Sequence, residues 1–520
     1  MEPASKIRTI LVQLEENGHE AYIVGGAVRD MLLGNGYKPK DWDIATSANP
    51  GQIKETFAYL KPEHVKQIDA SFPVVLVAGV EIATYRQDFY DVGVTTGTKK
   101  VKTIEEDLSR RDLTINAMAM DKDLNVIDPF DGQKDLEKGI IRFVGDPAQR
   151  IYEDPCRIIR ACRFLAAIGG GFEIEAFIAL KNAVQYGKYN VPPERVRLEI
   201  LKAMQYEHAS KFFIALHDIR LLKTIFPALD KCYGANHGQY HDENIFDHMM
   251  IAGDAIPTSE QPLLRLTGYL HDVGKSQPNF KIGKKGDDEI HFYEHEAIGA
   301  DVLREELKDL KFSIAEIKYI TNLVLTHMRG GTKMSPKSTR KLIRRFTELD
   351  VDWKHWLILK TADRIGNIRK IIEGQPLKVE KIAKKFEHEL EGIPYEKGPS
   401  DPNGPAPCFE HKQLAISGTQ IQKVLGIGPS QLIGVILEYL LKRVIDDPSL
   451  NTNKQLVALI FGKLGKKKDD LNAENDVLIK ENTKDMIQPE NPWPRERTMS
   501  GIQLPTKEEE YKPWPNLSPK

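Results

Sequence analysis

The first residues able to do chemistry lie between Tyr22 and Asp43, in the run YIVGGAVRDMLLGNGYKPKDWD. Asp41 and Asp43 are one residue apart. On a strand, alternation sends both carboxylates to one face and turns Trp42 into the core. Carboxylates side by side repel each other, and a divalent cation relieves the repulsion. Oxygen ligands of this kind suit Mg²⁺, which completes its shell with water and phosphate oxygens. Two such ions about 3.5–4 Å apart can hold the attacking and leaving oxygens of an in-line displacement. Upstream, Gly25-Gly26 offers bare backbone to a phosphate or sugar. Arg29 follows Gly26 by three residues, where an anion would meet the start of a helix. Glu81 is the one acid in the strand-like run VEIATY. It is the candidate third carboxylate, as metal ligand or as base for an attacking hydroxyl. Taken singly, an Asp-x-Asp pair is commonly a solvated loop and a Gly-Gly pair an ordinary turn. Their order and proximity give them weight.

Together these motifs resemble the signature of the nucleotidyltransferase superfamily that includes DNA polymerase β. In detail they are similar to the branch of bacterial CCA-adding tRNA nucleotidyltransferases and poly(A) polymerases. A second motif, Arg110-Arg111-Asp112-Leu113-Thr114-Ile115-Asn116-Ala117, is similar to that branch's R-R-D-F-T-I-N-A, with Leu113 in place of Phe. The resemblance implies that Arg111 binds the triphosphate, for which a guanidinium fork is well shaped. It implies that Asp112 holds the ribose or orients Arg111, and that Asn116 pins the backbone.

A third motif runs from Glu153-Asp154-Pro155 to Phe164. Asp154 suits an N-cap and Pro155 the first helical turn. Arg157, Arg160 and Arg163 recur every third residue and fan over about 120° of a helix. A surface helix with three arginines would normally intersperse acids, and this one has none after Asp154; Ile158, Ile159 and Phe164 provide its apolar side. A carboxylate can accept from the exocyclic amine of cytosine or adenine, and a guanidinium can donate to a ring nitrogen or carbonyl. The run resembles the E-D-x-x-R element of the bacterial CCA-adding class, which implies base choice by Asp154 and Arg157, with Arg160 and Arg163 reaching phosphate. Val191–Glu199 resembles the family's neck segment, with Glu194 and Arg195 buttressing the arginine helix.

Farther along, His248, His271-Asp272, His295, His327 and Asp363 are spread over a mostly helical stretch. One histidine among apolar residues is commonly a satisfied core residue. The H…HD…D order instead resembles the HD phosphohydrolase superfamily. Imidazoles and carboxylates together suit a transition metal or Mg²⁺. By this resemblance His248, His271, Asp272 and Asp363 are the primary ligands, His295 and His327 hold a second ion, and the site hydrolyses 2′,3′-cyclic phosphates or related phosphoesters.

The elements that must position these groups follow from pattern. Ile7, Ile10, Leu11 and Leu14 mark a packing helix in residues 1–20. Tyr22-Ile23-Val24 reads as a buried strand, and Phe72–Val77 and Val80–Tyr85 as two more around a Gly79 turn. Residues 88–107, rich in Gly, Thr and Lys, read as a loop whose Lys99, Lys100 and Lys102 approach phosphate. The expected fold is an α+β head, a small mixed sheet with helices, followed by all-α neck, HD and body domains. The expected boundaries are head 1–148, neck 149–235, HD domain 236–390, linker 391–412 and a helical RNA-binding segment 413–465, where Lys442 and Arg443 face the tRNA. A disordered tail, 466–520, completes the chain. The 520 residues carry 73 Lys+Arg against 75 Asp+Glu, a net charge of −2, so any basic surface must be local. The four cysteines form no C-x-x-C pair, which fits a reducing cytoplasm. The expected activity is CCA addition to tRNA from CTP and ATP, with Mg²⁺ at the head and a divalent ion of open identity at the HD site. The alternatives are a poly(A) polymerase, or an HD hydrolase whose head only binds RNA. No membrane or protein partner is implied.

Overall fold

The structure is a computed structural model and describes residues 5–34, 39, 41–69, 73–91, 94–187, 189–238, 240–276, 281–282, 290–391 and 408–464. Phe72, most of the Pro/Gly-rich linker, and the tail with Trp493 and Trp514 lie outside the described residues. The chain forms two compact units, residues 1–399 and 400–520.

The first unit opens with a mixed sheet. Its strands are β1 (Ala21–Val24), β2 (Asp43–Thr46), β3 (Val65–Asp69), β4 (Val74–Val77) and β5 (Val80–Thr84). After the separate hairpin β6 (Arg86–Asp91) and β7 (Val94–Lys100), the sheet is completed by β8 (Ala119–Met120) and β9 (Val126–Ile127). The order is β3-β4-β5-β2-β1-β8-β9. Only β2 and β5 pair in parallel; the other neighbours are antiparallel. Alternation along β5 buries Val80 and Ile82 and leaves Glu81 exposed. Ile7, Ile10, Leu11 and Leu14 of the helix Ser5–Glu16 cover the sheet's apolar side. Fully burying one such side chain contributes about 1.5–3 kcal/mol.

Two local expectations need correction. Asp41-Trp42-Asp43 is not one strand, because β2 begins at Asp43 and Asp41 precedes it; Trp42 is half-buried against the core. Residues 88–107 are not a loop but most of a hairpin and the helix Ile104–Ser109. Phe89, Tyr90 and three threonines are strand formers whose pairing outweighs the turn-like glycines. The arginine helix, Cys156–Ile168, is largely buried. Both Arg157 and Arg163 are buried on it along with its apolar residues. Helices Pro193–Ala203 and Ser210–Asp218 pack against it and supply groups its own sequence lacks.

One apolar core runs from the sheet through these neck helices into the helices Ile245–Ala255, Pro262–Leu270, His295–Asp309 and Ile314–Thr326. Gly274, just after His271-Asp272, makes this packing possible. A Cβ there would stand 2.0 Å from the His295 carbonyl oxygen. The second unit packs helices Gly418–Leu425, Gln431–Asp446 and Asn453–Leu464 around Ile421, Leu432, Leu440 and Leu456. Lys442 and Arg443 are exposed on it. The four cysteines are buried, and none is in a disulfide. Among the described residues no helix is long and apolar enough to cross a membrane.

Candidate functional site

Sheet register brings the first carboxylates together. Asp43 stands opposite Val24 on one side and Glu81 on the other. The Gly25-Gly26 turn, the head of β2 and Glu81 therefore share one end of the sheet. Asp41 and Asp43 open onto a cleft of 640 Å³. Desolvation, then the charges of Glu81 and Asp41, push the Asp43 carboxyl above its ordinary value, while Arg111 opposes them. This donor set fits a hard divalent cation, which would remove the repulsion.

Two guanidiniums, of Arg29 and Arg111, lie against the glycines. Gly25 adopts φ +71°, and a Cβ on it would come within 2.8 Å of Arg111 Nη1, so the guanidinium lies directly over the turn. Arg111 is held from behind by Asp107 at 3.4 Å, and its buried Nε has no partner. Arg29 donates to Asn116 Oδ1 at 2.7 Å and to Asp30 Oδ1 at 2.7 and 2.9 Å.

Asp112 does not orient Arg111. Its Oδ2 accepts from Arg160 at 2.6–2.7 Å, and its Oδ1 accepts from the Leu113 amide at 2.8 Å. Asn116 does not pin the backbone through its side chain but links Arg29 to Asp112. Burial alone would raise the Asp112 carboxyl, but Arg160 and three hydrogen bonds hold it well below the carboxylate range.

The arginines of the helix are already answered by acceptors. Arg157 donates to Glu153 Oε2 at 2.6 Å, to the carbonyls of Arg150 and Arg110, and to Tyr90 Oη at 3.3 Å. Arg163 donates to Glu199 at 2.5 Å and to Tyr206 Oη at 3.1 Å. Arg195 grips Asp154 with both nitrogens, at 2.8 and 2.9 Å. Asp154, Arg157, Arg160 and Arg163 all line the same cleft as Asp41 and Asp43. Tyr90 is the hairpin's contribution; Lys99, Lys100 and Lys102 are not among the lining residues. Sequence reasoning missed Asp107, Glu199, Tyr90 and Tyr206. Only an acid's burial or an aromatic's place in the fold reveals them.

The histidine cluster is a separate centre. Pro262–Leu270 ends at His271, His295 opens its own helix, and His327 caps Ile314–Thr326. His248 Nε2 and His271 Nε2 stand 3.2 Å apart. Asp363 Oδ1 is 3.3 Å from the first and 3.8 Å from the second. Asp272 Oδ2 is 3.6 Å from both. On its other side, Asp272 Oδ1 faces His295 Nε2 at 3.3 Å and His327 Nε2 at 3.4 Å. Those last three atoms are buried without a hydrogen-bond partner. Orphaned electron-pair donors converging from three residues fit a divalent metal. The rings are pre-aimed: His271, His295 and His327 each place Nδ1 on a backbone carbonyl, at 2.7–2.8 Å. His248 instead turns Nδ1 to Glu243, 3.3 Å away. Such partners fix the tautomer that presents Nε2. Glu243, His237, His241 and Lys275 belong to this neighbourhood and were not singled out from the sequence. The spacing His237-x₃-His241-x-Glu243-x₄-His248 was their signal.

Comparison with known proteins agrees with this layout. Residues 21–142 match the family described as "Poly A polymerase head domain". Residues 189–233 match "Probable RNA and SrmB- binding site of polymerase A", and residues 245–354 match "HD domain". The multifunctional CCA protein of Aromatoleum aromaticum is 31% identical over 355 residues, 66% of this chain and 83% of the relative. That of Legionella pneumophila (strain Paris) is 36% identical over 272 residues, 49% of this chain and 63% of the relative. The chain thus spans under two thirds of the Legionella protein and more of the Aromatoleum one. A Bacillus stearothermophilus CCA-adding enzyme, solved in complex with CTP, shares the fold with TM-score 0.62 and 22% identity, covering 89% of this chain and 98% of the other. The head is a nucleotidyltransferase head carrying a divalent-cation donor set, and the chain belongs to the family of multifunctional CCA proteins and CCA-adding enzymes.

Proposed function

We propose that the chain is a tRNA nucleotidyltransferase that adds C and A residues to the tRNA 3′ end from CTP and ATP. The observation that carries this reading is the single cleft shared by Asp41, Asp43, Arg111 and the Asp154/Arg157 pair. Mg²⁺ held by Asp41 and Asp43, with Glu81 beside them, would supply charge neutralisation for the in-line displacement. The tRNA 3′-hydroxyl attacks the α-phosphorus and pyrophosphate leaves. Glu81, in register with Asp43, stands to take the hydroxyl proton. Gly26, Arg29 and Arg111 hold the triphosphate, and Asp112 fixes Arg160 beside it. Asp154 accepts from the exocyclic amine of the base and Arg157 donates to the adjacent ring atom. A carboxylate and a guanidinium at this place select cytosine and adenine, which carry an amino group at C4 and C6, over uracil and guanine, which carry a carbonyl oxygen there. Incubation of the full chain with tRNA lacking CCA and each nucleotide singly tests the reading. C incorporation is expected. Incorporation of A alone would make the protein a poly(A) polymerase.

The HD cluster supports a second activity, metal-assisted hydrolysis of a phosphoester. The convergence of His248, His271, Asp272 and Asp363 favours it. Ring opening of a 2′,3′-cyclic nucleotide by the full chain with added divalent cation tests it. No opening with any of Mg²⁺, Mn²⁺ or Zn²⁺ would refute that substrate class.

A further inference from the structure

Beside the HD cluster, a second set of donors converges. His237, His241, Glu243 and His248 place one donor atom each within 4.8 Å of one another. The first three precede the helix Ile245–Ala255 and lie outside the stretch matched as an HD domain. His237 is 4% exposed and its Nδ1 has no hydrogen-bond partner. That orphaned nitrogen faces Glu243 Oε1 at 3.7 Å. The ring of His241 stacks on His237, with centroids 3.5 Å apart and planes 24° apart, and its Nδ1 meets the same carboxylate oxygen. Glu243 Oε2 is occupied by the Ile368 amide at 3.1 Å, which turns Oε1 toward the histidines.

We propose that His237 Nδ1, His241 Nδ1 and Glu243 Oε1 form a third cation site in this region, selective for a divalent transition metal of the zinc class. Two imidazoles and one carboxylate are a borderline-soft set, unlike the all-oxygen sets that Mg²⁺ and Ca²⁺ prefer. Ligand bonds of about 2.0–2.1 Å in a tetrahedron separate donors by about 3.4 Å. The 3.7 Å gap at His237 is already near that value. Three protein ligands leave one position for water or a phosphate oxygen. His248 Nδ1 lies 3.3 Å from the same Glu243 oxygen, so one carboxylate faces both the new site and a ligand of the neighbouring one.

Lys275 competes with the cation. Its ammonium donates to His237 Nε2 at 2.7 Å and to Asp272 Oδ2 at 2.6 Å. With a metal on Nδ1, the His237 proton resides on Nε2 and Lys275 retains only Asp272. The third ion therefore binds more weakly than the ions at His271 and Asp363.

The proposal assumes that the HD cluster binds metal and is independent of nucleotide addition. The test is equilibrium dialysis of the full chain against Zn²⁺ with Mg²⁺ in excess, joined to anomalous scattering at the zinc edge from crystals. Wild type should bind one more zinc than His241→Ala and Glu243→Gln, and should show an anomalous peak among His237, His241 and Glu243. A peak at His271–Asp363 without one at Glu243 overturns this site alone. Peaks at neither place overturn this site and a zinc-bound HD cluster together. Should both variants fail to fold, the wild-type map decides.

Discussion

The cleft and the histidine cluster solve opposite problems with a shared device. In both, the outer groups are satisfied and the inner ones are not. Around the cleft, Arg160, Arg163, Arg157 and Arg29 are each answered by an acid. What remains turned inward is of both signs: the Asp41/Asp43 carboxylates and the orphaned Nε of Arg111. In the cluster the Nδ1 atoms of His271, His295 and His327 are tied to backbone carbonyls, and their Nε2 atoms face neighbouring imidazoles and carboxylates. A cleft with acids at one place and a cation at another suits a ligand that brings metal and triphosphate together and leaves with them. A cage of electron-pair donors suits a cation that stays.

That contrast breaks most sharply at Asp43. Asp43→Asn should lower C incorporation by at least about 1000-fold, roughly 4 kcal/mol. Zinc bound by the chain should be unchanged. His271→Ala should do the reverse, abolishing zinc at its position while leaving the rate of C addition within about two-fold. The measurements are single-nucleotide incorporation and metal content on the same preparations. A loss of both properties in either variant would mean that the two centres are coupled.

How much of this division the sequence carried depends on how local each interaction is. The glycine turn, the strands around it and the order of the histidines rest on neighbours within a few residues, and period and motif expose them. Glu81 was legible because an acid interrupted an apolar strand; its pairing with Asp43 needed the parallel register of β2 and β5. The partners of the arginine helix were not legible because its acids are far off in the chain: Asp112 lies 48 residues from Arg160, and Glu199 lies 36 from Arg163. A run of arginines without local acids looks solvent-facing until tertiary packing supplies the partners. The hairpin β6–β7 was hidden by glycine and lysine content, although its threonines and aromatics favoured strands. His237, His241 and Glu243 precede the H…HD…D order, and nothing in that order points to them.

A smaller effect, and one that sharpens the idea of a satisfied outer layer, belongs to Asp112. Asp112→Asn leaves Arg160 without its carboxylate. The expected loss is about 2–4 kcal/mol of stability at neutral pH, toward the low end for a buried pair because the Arg160 side chain keeps 30% exposure. The sign of its pH dependence follows from the depressed folded-state value. Such a carboxylate contributes fully above its unfolded value of about 3.9, and its contribution fades as pH falls below that toward the folded value. Denaturant melts of wild type and variant should thus be far apart at pH 7 and draw together near pH 2. A constant gap would show that Asp112 acts through its neutral hydrogen bonds instead of its charge.

The smallest effect probes where the hairpin meets the arginine helix. Arg157 Nη2 reaches Tyr90 Oη at 3.3 Å, the longest of its four hydrogen bonds. The Tyr90 ring also lies under the guanidinium, 5.5 Å from centroid to Cζ. Tyr90→Phe removes the first contact and keeps the second, so it should cost about 0.5 kcal/mol or less and leave the ratio of C to A addition within about two-fold. Tyr90→Ala removes both and should cost about 1 kcal/mol more. Competition between CTP and ATP on the same tRNA measures the ratio. A large change with Phe alone would make the hydroxyl part of base selection, and the layer around Arg157 would then be a reader in its own right, not a support.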